Sequence, residues 1–94
     1  MEQTEFSYKS LREQRGLSLK QAAELLHLDL SLVSRIENHV RRPTREQLMK
    51  LAELYQLDAD ALLVDWLSDK VVQGLEGERL AIQVLKAAES KITS

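Results

Sequence analysis

The chain has no cysteine, which removes disulfides and thiolate metal sites and fits a reducing compartment. One proline and three glycines leave little room for long loops. Aromatic residues are limited to Phe6, Tyr8, Tyr55 and Trp66, so any core must be built from Leu, Ala, Val and Ile. The longest purely apolar run, Ala61-Leu62-Leu63-Val64, is far too short to span a bilayer. The opening MEQTEFSYKS carries acids and no apolar centre, so no signal peptide is expected and the expected setting is cytoplasmic. No nucleophile stands beside a base, and no glycine-rich phosphate loop is present, so an enzyme is not expected and no cofactor is called for.

What remains is a 94-residue chain, 44% apolar, large enough for one small domain or one domain with a short appendage. Net charge is −2, which argues against a nucleic-acid binder until the distribution is considered. Between Leu30 and Lys50, five basic residues (Arg35, Arg41, Arg42, Arg45, Lys50) face only Glu37 and Glu46, so the stretch carries +3 and the remainder −5. An acidic remainder lowers non-specific affinity for DNA. The plain alternative is that charges of both signs solvate a helical surface; the clustering favours the sharper reading.

The chain is organised around Ser18 to Pro43, SLKQAAELLHLDLSLVSRIENHVRRP. Ser18 and Gln21 form a capping box that opens a helix of about Leu19 to Leu26, carrying Ala22, Ala23, Leu25 and Leu26. Asp29 is placed to cap a further helix, about Leu30 to Asn38, whose Leu32, Val33 and Ile36 fall at helical spacing. Helices joined by so few residues must cross steeply, and Ala23 supplies the small side chain that a close crossing requires. This is the helix-turn-helix plan, which frees the second helix to enter the major groove.

Residues 11 to 63 resemble the DNA-binding domain of the phage-repressor (Cro/C1, or xenobiotic-response-element) helix-turn-helix family. The resemblance rests on the joint spacing of Leu11-Arg12, Leu17-Ser18, Ala23, Leu26, Leu28, Val33, Ser34-Arg35-Ile36-Glu37, Pro43, Leu48, Leu51, Ala52 and Leu57. It implies an all-α fold: a five-helix lambda-repressor-like DNA-binding domain over residues 7–63, with a C-terminal helical extension over 64–94. It also implies a structural ion pair between Arg12 of the first helix and Glu37 of the third. Two departures stand out. Leu19 occupies the position where many members hold a phosphate with glutamine, so that contact is expected to be lost, or replaced by Lys20 or by free amides at the helix start. His27 and His39 stand where the family places glycine for its positive φ, a region histidine tolerates better than most residues. The two histidines lack the further ligands a metal site needs, so turn roles are preferred and no metal is expected.

Ser7 or Ser10 is expected to cap the first helix, Gly16 to end it, and residues 1–6 to be loose. On the third helix Leu30, Ser31, Leu32, Ser34 and Arg35 are the candidate base-reading residues. Arg35 suits a bidentate bond to guanine, the serines a base or phosphate, and the leucines a thymine methyl, with Leu32 divided between groove and core rim. Ser18, Lys20, Arg41, Arg42 and Arg45 are the candidate phosphate contacts, which set register and affinity rather than sequence. The alternative is an amphipathic helix whose polar side is simply wet. Thr44 and Gln47 form a second capping box for a fourth helix with Leu48, Leu51, Ala52 and Tyr55 as its buried stripe, and Asp58 is placed to cap a fifth.

Beyond Leu63 the apolar pattern continues. Gly74 and Gly77 are expected to bracket a turn, with a last helix from Glu78 to Ile92. Two helices this short cannot bury so broad a face alone. Residues 64–94 are therefore read as a dimerisation element with Trp66, Leu67, Val71, Leu80, Val84, Leu85 and Ala88 at the interface. The alternatives are an extra layer on a monomeric core and, as a minor one, a short strand at Val71-Val72 along the seam. The expected function is a homodimeric, sequence-specific regulator of double-stranded DNA, most simply a repressor of its own or an adjacent phage, restriction or anti-phage defence operon. A regulatory protease or partner protein acting on the C-terminal element is the candidate route for a signal. The second class considered is a protein-binding module, such as an antitoxin or adaptor on the same fold.

Overall fold

The structure, a computed structural model, describes residues 7–94 and contains six helices and no strand among them. The expectation for residues 1–6 lies outside the described residues. The helices are α1 (Tyr8–Gln14), α2 (Leu19–Leu26), α3 (Leu30–Glu37), α4 (Arg45–Tyr55), α5 (Ala59–Gly74) and α6 (Ala81–Thr93). The all-α class holds; the count is six because the last helix is separate from an α5 that runs on to Gly74. The chain divides into two compact units, 1–63 and 64–94.

In the first unit, local signals start each helix. Ser7 accepts the Ser10 amide at 3.1 Å and opens α1. Ser18 and Gln21 bond reciprocally, at 3.0 and 2.8 Å, and open α2. Thr44 and Gln47 do the same for α4, and the Ala61 amide donates to the Asp58 carboxylate at the start of α5. Asp29 is the exception: it stands at the N-cap of α3 in extended backbone, but its side chain makes no capping bond. Its spacing was right and its side chain was not recruited, because a cap also needs a rotamer aimed back at the helix.

The ends of α1 to α4 share one device. In each, a residue of positive φ follows the helix and the next amide reaches back five residues, the Schellman arrangement. Leu17 donates to the Arg12 carbonyl, Leu28 to Ala23, Val40 to Arg35 and Leu57 to Ala52, at 2.8–3.1 Å. The positive-φ residues are Gly16, His27, His39 and Gln56. Only the first has no Cβ to crowd the left-handed region, so the other three carry local strain.

The core gathers Ala23, Leu26, Val33, Ile36, Leu51 and Tyr55, with Leu11, Leu17, Leu28, Leu32 and Leu57 among the half-buried residues around it. Ala23 keeps 4% of its surface exposed where α2 faces α3, which is why a small side chain stands there. Burying each large member contributes about 1.5–3 kcal/mol. Leu25, expected on the apolar side of α2, is instead 56% exposed, since Ala22, Ala23 and Leu26 already fill the inward face.

In the second unit no residue is buried. Val71-Val72 lie within α5, so the strand alternative does not hold: three-and-four spacing from Val64 through Leu67 to Val71 continues the helix. The last helix starts at Ala81 rather than Glu78. Gly77, at φ 76°, makes the turn, and residues 78–80 complete it before the helix begins without a side-chain cap. Gly74 closes α5 and does not itself turn the chain.

Candidate nucleic-acid interface

The geometry of the site begins with what fixes α3. Arg12 of α1 reaches across to Glu37 near the end of α3, its Nε 2.8 Å from one carboxylate oxygen and its Nη2 3.1 Å from the other. Its Nη1 donates to the Leu17 carbonyl at 2.9 Å. The guanidinium is thus spent on a fork-to-fork pair and a backbone bond, and both side chains are nearly excluded from solvent. The hydrogen bond to Glu37 raises the Arg12 pKa, partly offset by burial. Held this way, α3 presents a fixed face.

On that face Leu30 is 47% exposed, and Ser31 and Arg35 are exposed. Ser34 is half-buried, and its hydroxyl accepts a long bond of 3.4 Å from the Asn38 amide. Leu32 is half-buried and packs against the core, so its surface goes mainly to the protein interior rather than to the groove side. Val33 and Ile36 point fully inward.

Cations flank this helix on two sides. Lys20 is exposed on the first turn of α2 and borders an open hollow with Ala23, Glu24, His27, Leu28, Asp29 and Leu30, which brings it beside the entry to α3. On the other side, the Arg35 carbonyl accepts both the Val40 amide at 2.9 Å and the Arg41 amide at 3.2 Å. The backbone of the candidate base-reading residue therefore anchors the loop that carries Arg41. Arg41 and Arg45 are exposed, and Arg42 is half-buried. Ser18 is exposed, its hydroxyl oxygen already accepting the Gln21 amide while its own hydrogen can still donate.

Several features of the site were not read from the sequence. Arg15 donates to the Tyr55 carbonyl at 2.8 Å and sits 5.7 Å from the centroid of the Tyr55 ring, closing the C-terminal end of α4 with a cation. Tyr8 stacks on the same ring at 6.4 Å. Neither the positive φ of Gln56 nor the bond between the Asn38 side chain and Ser34 follows from the sequence pattern above. The four-residue spacing of Ser34 and Asn38 on one helix was the available signal. Among the described residues no group of histidine and acidic side chains could hold a metal ion.

A family model described as helix-turn-helix matches residues 9–62, more than half of the chain. The chain belongs to the Cro/C1-type helix-turn-helix family, a class of DNA-binding transcriptional regulators. No curated protein and no solved structure matches it. Among the described residues no helix is long and apolar enough to cross a membrane.

Proposed function

We propose that the protein is a sequence-specific transcriptional repressor that acts in the cytoplasm as a homodimer on a palindromic operator. The operator controls its own or an adjacent operon, of the phage, restriction or anti-phage defence kind. The carrying observation is the fixed face of α3, where Leu30, Ser31 and Arg35 are exposed, with Lys20 beside the entry to the helix and Arg41 on the loop anchored to the Arg35 carbonyl. Arg35 reads guanine through O6 and N7, Ser31 and Ser34 bond base edges, and Leu30 meets a thymine methyl. Ser18, Lys20, Arg41, Arg42 and Arg45 hold phosphates and set the register. Residues 64–94 join two copies so that the two α3 helices meet successive major grooves. A signal acts through a protease or partner protein on that C-terminal element; a C-terminus that stays intact and unbound during induction counts against this route.

Selection from a random duplex library, followed by titration of the winner at several salt concentrations, tests the reading. A palindromic consensus bound far more tightly than random DNA, with a salt slope of several phosphates, is the expected result. Absence of enrichment turns the weight to the second reading, a protein-binding antitoxin or adaptor. That reading is favoured by an open groove between α2 and α4, lined by Leu25, Lys50, Glu53 and Leu54, in which Leu25 is largely exposed.

A further inference from the structure

The second unit, residues 64–94, is a pair of helical segments without an interior. It has 31 residues, and none is buried. Chains below about 40 residues usually need disulfides, a metal or oligomerisation to fold. The sequence has no cysteine, and no metal-binding group occurs among the described residues, so neither a disulfide nor a metal staples this unit.

The apolar surface of the unit is large and ordered. Of the twelve large hydrophobic residues exposed among the described residues, nine lie here: Val64, Leu67, Val71, Val72, Leu80, Ile82, Val84, Leu85 and Ile92, from 38% to 82% exposed. Together they show on the order of several hundred Å² of apolar surface, the scale at which exposed apolar surface marks a contact site. A standard interface buries about 800 Å² per partner, so a face of this size suits one protein surface rather than a small ligand.

Spacing then selects the partner. On α5, Val64, Leu67 and Val71 follow at three and four residues; on α6, Ala81, Leu85, Ala88 and Ile92 follow at four, three and four. These are heptad seams, the pattern of a helix that packs along another helix. On α6 small alanines alternate with Leu85 and Ile92, which lets a second helix approach closely and interdigitate. Trp66 falls on a different face of α5, half-buried with the Lys70 ammonium 4.1 Å from its ring centroid, and does not belong to the seam. Helices that carry the same seam in every copy fit a second copy by two-fold symmetry.

We propose that the seams of α5 and α6 pair with those of a second chain in a four-helix bundle, and that residues 64–94 fold only as this dimer forms. The inference rests on the dimerisation reading above and adds that folding and association are one step. In the separate chain α6 and the second half of α5 are unfolded, and the helix-turn-helix unit stands alone. Occupancy of a two-fold operator then falls steeply as the protein is diluted. The unfolded segment of the free monomer is also the form open to a protease.

The test uses the full-length protein without DNA. Sedimentation and far-ultraviolet circular dichroism are followed from the lowest measurable to the highest soluble concentration, with hydrogen exchange at both ends. Residues 64–74 and 81–93 make up 24 of the 63 helical residues, so the helical signal should rise by roughly two fifths of its final value as the mass doubles. Amides of α6 should be protected only at the dimer end, while those of α2 to α4 are protected throughout. Val71→Asp with Leu85→Asp should hold the chain at the monomer mass with α6 unprotected and the first unit intact. A monomer whose α6 amides are protected, or a dimer whose α6 amides are not, overturns the proposal. A chain that passes this test yet enriches no DNA sequence refutes the DNA-reading function alone.

Discussion

Arg12 and Glu37 stand 25 residues apart in sequence, and their side chains meet in a two-pronged pair, at 2.8 and 3.1 Å, almost out of reach of water. The pair ties α1 to the end of α3. Removing one partner leaves the other charge desolvated without a counterion, a cost of about 3 kcal/mol. Arg12→Met and Glu37→Gln should each destabilise by roughly that amount, and the double variant by clearly less than twice it, in denaturant unfolding. Strict additivity would show that the two charges are independently solvated.

The left-handed backbone at His27, His39 and Gln56 supplies a test with the opposite sign. A side chain in this region costs about 1–2 kcal/mol, and glycine recovers part of that against its greater freedom in the unfolded chain. Glycine at each position should therefore stabilise by about 0.5–1 kcal/mol. Each gain should raise the melting temperature by several degrees for a unit of this size. No gain at His39 alone would mean that the histidine ring contributes contacts of its own.

Arg35 and Arg41 are joined through backbone yet are assigned different work, and mutation separates the two roles. Arg35→Ala should cost about 1–3 kcal/mol on the selected operator and relax preference at one base position. Arg41→Ala should weaken all sequences alike and lower the salt slope by about one. Equal loss of sequence preference in both variants would contradict the division.

Tyr55 gives the protein an alkaline limit. Burial raises its pKa above the ordinary value of 10.0, with the positive charges of Arg12 and Arg15 opposing in part. Because the folded state holds the phenol proton more tightly, its contribution is complete below the unfolded pKa. It is lost as pH rises through the folded value. Unfolding free energy should decline above about pH 10. Tyr55→Phe should flatten that part of the limb relative to the parent; identical limbs would place the loss on other groups.

The parts of the fold written within a few residues are legible in the chain itself. Ser18 with Gln21 and Thr44 with Gln47 marked where α2 and α4 begin, and the periodicity of Val33, Ile36, Leu48, Leu51 and Tyr55 marked which faces turn inward. The candidate α3 face followed from the same periodicity. Capping and amphipathic spacing act over one or two turns, so a short window carries them.

Tertiary structure decided what depends on partners far along the chain. It placed Arg15 on the carbonyl of Tyr55, 40 residues away, and drew Leu32 toward the core. It left Leu25 in solvent and Asp29 out of its cap, and forced Gln56 into the left-handed region. Each of these turns on which side chain fills a shared space first and on the direction the chain must leave a helix. Both are properties of the packed whole, because close packing lets one residue occupy a site only by excluding another.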